Sequence, residues 1–318
     1  MKAINTIRMG GVDVLPLVEG GKGVAVSNGR TCGAWASAGG VGTFSAVNAD
    51  SYDADGSIIR QIYHGKTRRD RHEELVEYGI KGGIAQAQRA WDLAGGKGRI
   101  HANILWEMGG AERVARGMLE GARGLIHGVT CGAGMPYKLA EVARDYGIHY
   151  YPIISSARAF AALWKRAYHK TREWLGGVVY EDPWLAGGHN GLSNSEDPKI
   201  PEAPFPRVLK LRQQMREFGL DDVPIIMAGG VWWLDECCSP SHPPGFILPP
   251  CAMISCANWK TAMIAKSPIR RKRWAIICPN MALARASAPS MSRRMIWRAS
   301  PIGKQKASRR PCARRTIR

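Results

Sequence analysis

Short apolar runs recur through the first 236 residues, at 14–20, 42–47, 100–105, 124–130, 149–155, 176–182 and 223–229. Most carry aliphatic or β-branched residues at successive positions, the pattern of strands covered on both faces in a parallel sheet. Between them, apolar residues return at helical spacing over 68–95, 111–122, 136–147, 157–176 and 206–219. The segment 136–147 opens on Pro136 and closes on Gly147, the residue types that punctuate helix starts and ends. Strands and helices that alternate in this way predict a parallel α/β fold.

Several of the predicted strands run into glycine: EGGKG after the first, CGAGMP after the fourth, AGGHNG after the sixth and AGGV after the seventh. A (β/α)8 TIM barrel builds its site from the loops at that end of every strand, whereas a doubly wound open sheet uses one switch point. Glycine at several strand ends favours the barrel, and no G-x-G-x-x-G follows the first strand. Seven strands are recognisable where a closed barrel needs eight. The expectation is therefore a TIM-barrel-type α/β fold, incomplete at its C-terminal end, with unpaired edges on its first and seventh strands.

Charge changes the picture only once it is mapped. The chain of 318 residues has a formal net charge of +19, which by itself suggests a nucleic-acid binder. All 26 acidic residues lie before residue 237, and the 82 residues from 237 to 318 hold 5 Lys and 12 Arg. The same segment holds 6 of the 8 Cys and 10 of the 19 Pro, but only 2 of the 37 Gly. Two compositions meet near residue 236, and two regions are expected: a barrel over 1–236 and a basic Cys/Pro/Arg-rich tail over 237–318. The abrupt change suggests that the tail is read in a shifted frame. A disordered basic arm is the second reading, with RRKRW (270–274) and SRRPCARRTIR (308–318) as phosphate-binding stretches. Zinc ligation by Cys237, Cys238, His242, Cys251 and Cys256 is the third, but their spacings form no regular pair of knuckles and no metal is expected. The N-terminus lacks the apolar run of a signal peptide, and no uncharged run is long enough for a membrane span. The expected location is the cytoplasm.

The candidate chemistry centres on WLAGGHNG (184–191), where glycines flank a histidine. Glycine lets a ligand approach the backbone, and histidine exchanges a proton near neutral pH. The plainer reading is a surface turn. The order of motifs favours the functional one. GGKGVAVSNGRTCGAWASAGGVGTFSAVN (20–48), Asn103 in HANIL, GAGMP (132–136), AGGHNG (186–191) and VPIIMAGGV (223–231) follow one another as they do in nitronate monooxygenases, formerly called 2-nitropropane dioxygenases. The resemblance covers roughly residues 12–235. It implies an FMN-dependent barrel that oxidises alkyl nitronates or nitroalkanes with O2. It implies His189 as the base that removes the proton α to the nitro group, Gly188 and Asn103 at the flavin, and Gly229 and Gly230 at its phosphate. Gly21, Lys22 and Gly23 match the loop along the isoalloxazine ring, although members often carry methionine where this chain has Lys22. The fold is shared with flavin-dependent enoyl reductases, which is the alternative activity. A non-catalytic protein with a nucleic-acid-binding tail is the alternative from another class. The expected partners are a small nitro compound and O2, with no membrane and with nucleic acid only as a non-specific contact of the tail. Cys131 reads as a small buried residue beside a loop. An unclosed barrel would lack half of its phosphate cradle, so weak or absent FMN binding is expected for the chain as written.

Overall fold

The computed structural model describes residues 6–132, 134–186, 191–192, 196–229 and the backbone of 251–254. Eight parallel strands form a closed barrel in the order β3 (Leu17–Val18), β4 (Val41–Ser45), β5 (Arg99–Leu105), β6 (Gly128–Gly132), β7 (His149–Ile154), β8 (Val178–Glu181), β9 (Ile225–Ala228) and β10 (Cys251–Ile254), which returns to β3. The helices α1 (Gly29–Ser37), α2 (Arg68–Ala94), α3 (Ala111–Gly121), α4 (Leu139–Asp145), α5 (Ala157–Arg166) and α6 (Pro204–Glu217) each follow one strand, from β3 to β8 in turn. A short antiparallel hairpin, β1 (Ile7–Met9) and β2 (Val12–Val14), precedes the barrel.

The TIM-barrel-type α/β fold expected from the sequence is observed, and the short strand β10 stands between its seventh and first recognisable strands. This strand lies inside the basic segment, and it pairs in parallel with β9 (Cys251↔Ile225 to Ile254↔Ala228) and with β3 (Met253↔Leu17, Ile254↔Val18). The edges that seemed open on the first and seventh barrel strands are therefore occupied. Backbone pairing asks little of side chains, so four residues suffice to fill a gap whose two edges are already in place. The expected boundary at 236 thus cuts off one barrel strand. The rest of 237–318, with the other proposed zinc ligands and both basic stretches, lies outside the described residues.

Alternation along the strands divides the core in two. Val18, Val41, Tyr151, Val179, Ile226 and Ala228 face the barrel axis and pack with Ile7, Met9 and Val14 of the hairpin. Phe44, Ile100, Ala102, Val129, Tyr150, Tyr180, Ile225 and Met227 face the helical layer. The hairpin closes the N-terminal end of the barrel. The Nη2 of Arg99, the first residue of β5, donates to the Gly10 carbonyl at 3.1 Å. Met9 is fully buried there, a burial that stabilises by about 1.5–3 kcal/mol.

Helix α2 begins at a capping box in which Thr67 and Asp70 exchange hydrogen bonds, and it stops at Gly95 with φ 59°. Its bounds match the sequence pattern. The expected helix 157–176 breaks instead into α5 and a 3-10 turn at Tyr168–Trp174, with Thr171 outside helical geometry. The Thr171 hydroxyl and carbonyl and the Tyr168 carbonyl gather round the Tyr150 hydroxyl at 3.3–3.5 Å, which gives that buried phenol its partners. Among the described residues no helix is long and apolar enough to cross a membrane.

Candidate functional site at the carboxyl end of the barrel

The loop after β3 folds back on itself before α1. The Lys22 amide donates to Ser27 Oγ at 2.8 Å, and the amides of Val26 and Ser27 donate to the Lys22 carbonyl at 3.1 Å. Asn28 then caps α1 by accepting from the Arg30 and Thr31 amides, and the Thr31 hydroxyl accepts from the Asn28 amide. The turn leaves Val24 and Val26 more than half or nearly half exposed. Ala25 between them takes φ 52°, a left-handed conformation that non-glycine residues rarely adopt. The result is a small apolar lip on the rim of the barrel.

Lys22 does not point its charge across the mouth. Its Nζ donates to the Gly20 carbonyl at 2.9 Å and lies 3.9 Å from Glu19 Oε1. Glu19 is almost wholly buried between β3 and α1, and it accepts from the Thr43 amide at 3.2 Å. Burial pushes its carboxyl up to about 7, against the opposing pull of Lys22 and its hydrogen bonds to Thr31 and Thr43.

Gly21 and Asn103 meet directly. A Cβ on Gly21 would lie 2.2 Å from Asn103 Cβ and 2.4 Å from its Cγ, so the backbone of the loop can rest on the amide only with glycine there. Asn103 Nδ2 donates to Thr130 Oγ1 at 3.1 Å on the next strand. Gly23 has ordinary space around it, with Ser45 Oγ 3.6 Å from a would-be Cβ. Register pairs Ser45, Asn103 and Thr130 across β4, β5 and β6. They form a neutral polar stripe on one wall of the mouth.

On the other wall, Gly229 follows β9 with φ +91°, and a Cβ there would lie 2.5 Å from the Ala186 amide nitrogen and 2.7 Å from its Cα. This close approach ties the end of β9 to the loop after β8. Asp182 organises that loop, since its Oδ1 accepts from the Trp184 and Leu185 amides at 3.0 and 2.8 Å and its carbonyl accepts from Ala186 at 3.0 Å. Further on, the Gly191 carbonyl accepts from Ser155 Oγ at 2.7 Å, at the end of β7. Arg207 of α6 lies over the Trp184 ring, donates to the Ser155 carbonyl at 3.0 Å, and pairs with Glu196 and with Glu202. Gly188, His189 and Gly230 lie outside the described residues. The residues on either side of 187–190 are anchored at the ends of β7, β8 and β9.

The structure thus brings Gly21, Lys22, Gly23, Asn103 and Gly229 to one end of the barrel, from three separate stretches of sequence. It also supplies residues that sequence reading missed: Ser45, Thr130, Ser155, Glu181 and Asp182. Cys131 faces the helical layer, fully buried, and burial raises its thiol far above the usual range, as expected of an inert packing residue. No group of three metal-binding side chains occurs among the described residues.

The chain matches no protein-family model, and no curated protein sequence is significantly similar to it. Solved structures similar to it include FabK from Thermotoga maritima, at 19% identity, covering 68% of this chain and 51% of that one with a TM-score of 0.39. Nitroalkane oxidase from Streptomyces ansochromogenes is similar at 14% identity over 68% of this chain and 59% of that one, with a TM-score of 0.42. GMP reductase from Trypanosoma brucei is similar at 12% identity over 72% of this chain and 76% of that one, with a TM-score of 0.40. The chain spans between half and three fifths of the first two of these proteins.

Proposed function

We propose that the chain is an FMN-dependent oxidoreductase that oxidises small alkyl nitronates or nitroalkanes with O2. The observation that carries this reading is the convergence of Gly21–Gly23, Asn103 and Gly229 at the open end of a closed barrel. The residues fit the flavin in kind. The Val24–Val26 lip offers an apolar edge to a flat ring, and Gly21 and Gly23 leave the adjoining backbone bare. Asn103 offers an amide beside it. Gly229, with positive φ at the end of β9, leaves its backbone bare for a phosphate. The expectation of weak cofactor binding rested on an unclosed barrel that lacks half of its phosphate cradle; the ring closes through β10, and the chain after β10 lies outside the described residues. FMN when bound supplies the redox chemistry, and the protein supplies position and electrostatics.

In this reading His189 takes the proton α to the nitro group, Gly188 lies beside the flavin, and Gly229 and Gly230 hold its phosphate. Lys22 contributes only its backbone, because its ammonium is held by Gly20 and Glu19. The assay is O2 consumption with propane-2-nitronate and with 2-nitropropane, with and without NAD(P)H. Turnover of both without NAD(P)H is expected, with His189→Ala losing the nitroalkane far more than the nitronate, which has already lost the proton. Turnover that requires NAD(P)H would instead mark an enoyl-reductase-like enzyme.

A further inference from the structure

Glu181 closes β8 on the side of the strand that faces the barrel axis. Val179, two residues earlier, packs in the axial core with Ile226 and Ala228, while Tyr180 packs in the helical layer. By the same alternation Glu181 points into the mouth. Its register partner on β9 is Ala228, which leaves the space beside it unfilled by a large side chain. Strands β4 and β8 stand four places apart in the eight-stranded ring, so Glu181 faces the Ser45–Asn103–Thr130 stripe from the opposite wall. The side chain is half-buried and makes no hydrogen bond or ion pair with another described residue.

Burial alone pushes this carboxyl up to about 7, with no charged neighbour contributing. Among the described residues, the groups round it are neutral or turned away. Ile153 lies on β7 with Ser155 just after it, and Ala228 ends β9 with Gly229 just after it. Asp182, the next residue in the chain, is committed to Tyr180, Trp184 and Leu185. A carboxyl with no partner among the described residues, turned toward the barrel mouth, can serve as a recognition group, and its protonation state sets what it recognises. Ionised, it repels an anion. Protonated, it donates one strong hydrogen bond to an anionic oxygen.

We propose that Glu181 is the substrate-facing carboxyl of this site and that its protonated form donates a hydrogen bond to an oxygen of a small oxyanion held against the Ser45–Asn103–Thr130 stripe. The inference deepens the reading of a nitronate-using enzyme and rests on it for the identity of the anion. It makes anion affinity fall as pH rises through neutrality, because only the protonated fraction is competent to bind.

The probe is isobutyrate, a non-reacting isostere of propane-2-nitronate. Its binding to the full-length chain is measured by calorimetry at pH 6 and pH 8, with and without FMN. The protein should bind about tenfold more weakly at pH 8, the drop in protonated fraction across a group titrating near 7. Glu181→Gln should bind equally at both pH values, since the amide donates at both. Glu181→Ala should bind weakly at both. The carboxyl carbon of Glu181, identified in labelled protein by its absence from Glu181→Gln, should titrate near neutrality in a reading that needs no flavin. Affinity independent of pH, the same pH dependence in Glu181→Gln, no isobutyrate binding, or titration at the ordinary glutamate value would each overturn the inference. Failure to take up FMN, with the isobutyrate and titration results intact, would overturn the flavin reading and leave Glu181 as an anion-recognition group.

Discussion

Gly229→Ala puts the closure of the mouth to a quantitative test. At φ +91° an alanine takes on backbone strain of about 1–3 kcal/mol. Its Cβ would also stand 2.5, 2.7 and 2.8 Å from the N, Cα and Cβ of Ala186. None of those atoms can rotate away, so the loop after β8 must shift against the end of β9, at a further cost of about 1–3 kcal/mol for overpacking. Gly124→Ala separates the two effects, because Gly124 has φ +83° and nothing within 4 Å of a would-be Cβ. Urea unfolding of both variants measures them. The expected loss is about 2–6 kcal/mol for Gly229→Ala and about 1–3 kcal/mol for Gly124→Ala, from the strain and overpacking ranges above. FMN affinity should fall at least tenfold only in Gly229→Ala, a change of about 1.4 kcal/mol. Equal destabilisation of the two variants would refute the contact between Gly229 and Ala186. Unchanged FMN affinity in Gly229→Ala would refute the phosphate role.

Two further perturbations test other parts of the molecule. His101 is buried against Tyr151 with ring centroids 4.5 Å apart, and neither ring nitrogen has a partner among the described residues. Burial holds its pKa well below 6.5, and burial holds His127 near 4. Such histidines give their full stability above about 6.5 and lose it as pH falls toward the folded-state values. Glu19 and Glu181, raised to about 7, work the other way and lose stability as pH rises from about 4.5 to 7. His101→Phe should therefore flatten the decline in unfolding free energy between pH 6.5 and 4, and an unchanged slope would contradict the assignment. Deleting 255–318 removes 5 Lys and 12 Arg and keeps β10. Salt-sensitive DNA binding by the full chain should vanish in the deleted one, and binding that survives would place the anion-binding surface on the barrel.

Where the sequence was readable, a local signal agreed with the tertiary fold. Strands β4 to β9 each fall within a short, mostly apolar run of strand length, so neither period nor length left much choice. The hairpin carried a signal that went unread: Gly10 and Gly11 take φ 55° and 78°, the two-residue turn that a Gly-Gly pair favours between alternating strands. Helix α1 was hidden because its packing depends on absent side chains. A Cβ on Gly29 would lie 2.3 Å from the Gln86 carbonyl, and one on Gly33 2.8 Å from that of Ala90, so the helix buries glycine where a pattern reader looks for leucine. Strand β10 sits in a Cys- and Pro-rich stretch with no period, and only the two waiting edges of β9 and β3 select those four residues. Gly21 and Asn103, which the order of motifs singles out, meet at the barrel mouth. Glu181 carries no motif signal, because only the alternation in β8 turns that carboxyl toward the mouth.

The measurement that bears most directly on the proposed function is the visible spectrum of the full-length chain after incubation with FMN and gel filtration. A flavin spectrum that co-elutes with the protein at about one FMN per chain is the result the proposed function predicts, with the glycines and the amide at the mouth of the barrel as the residues proposed to hold the cofactor. A colourless protein peak, with all flavin in the small-molecule fraction, would contradict it: the glycines and the amide at the barrel mouth would then hold no FMN.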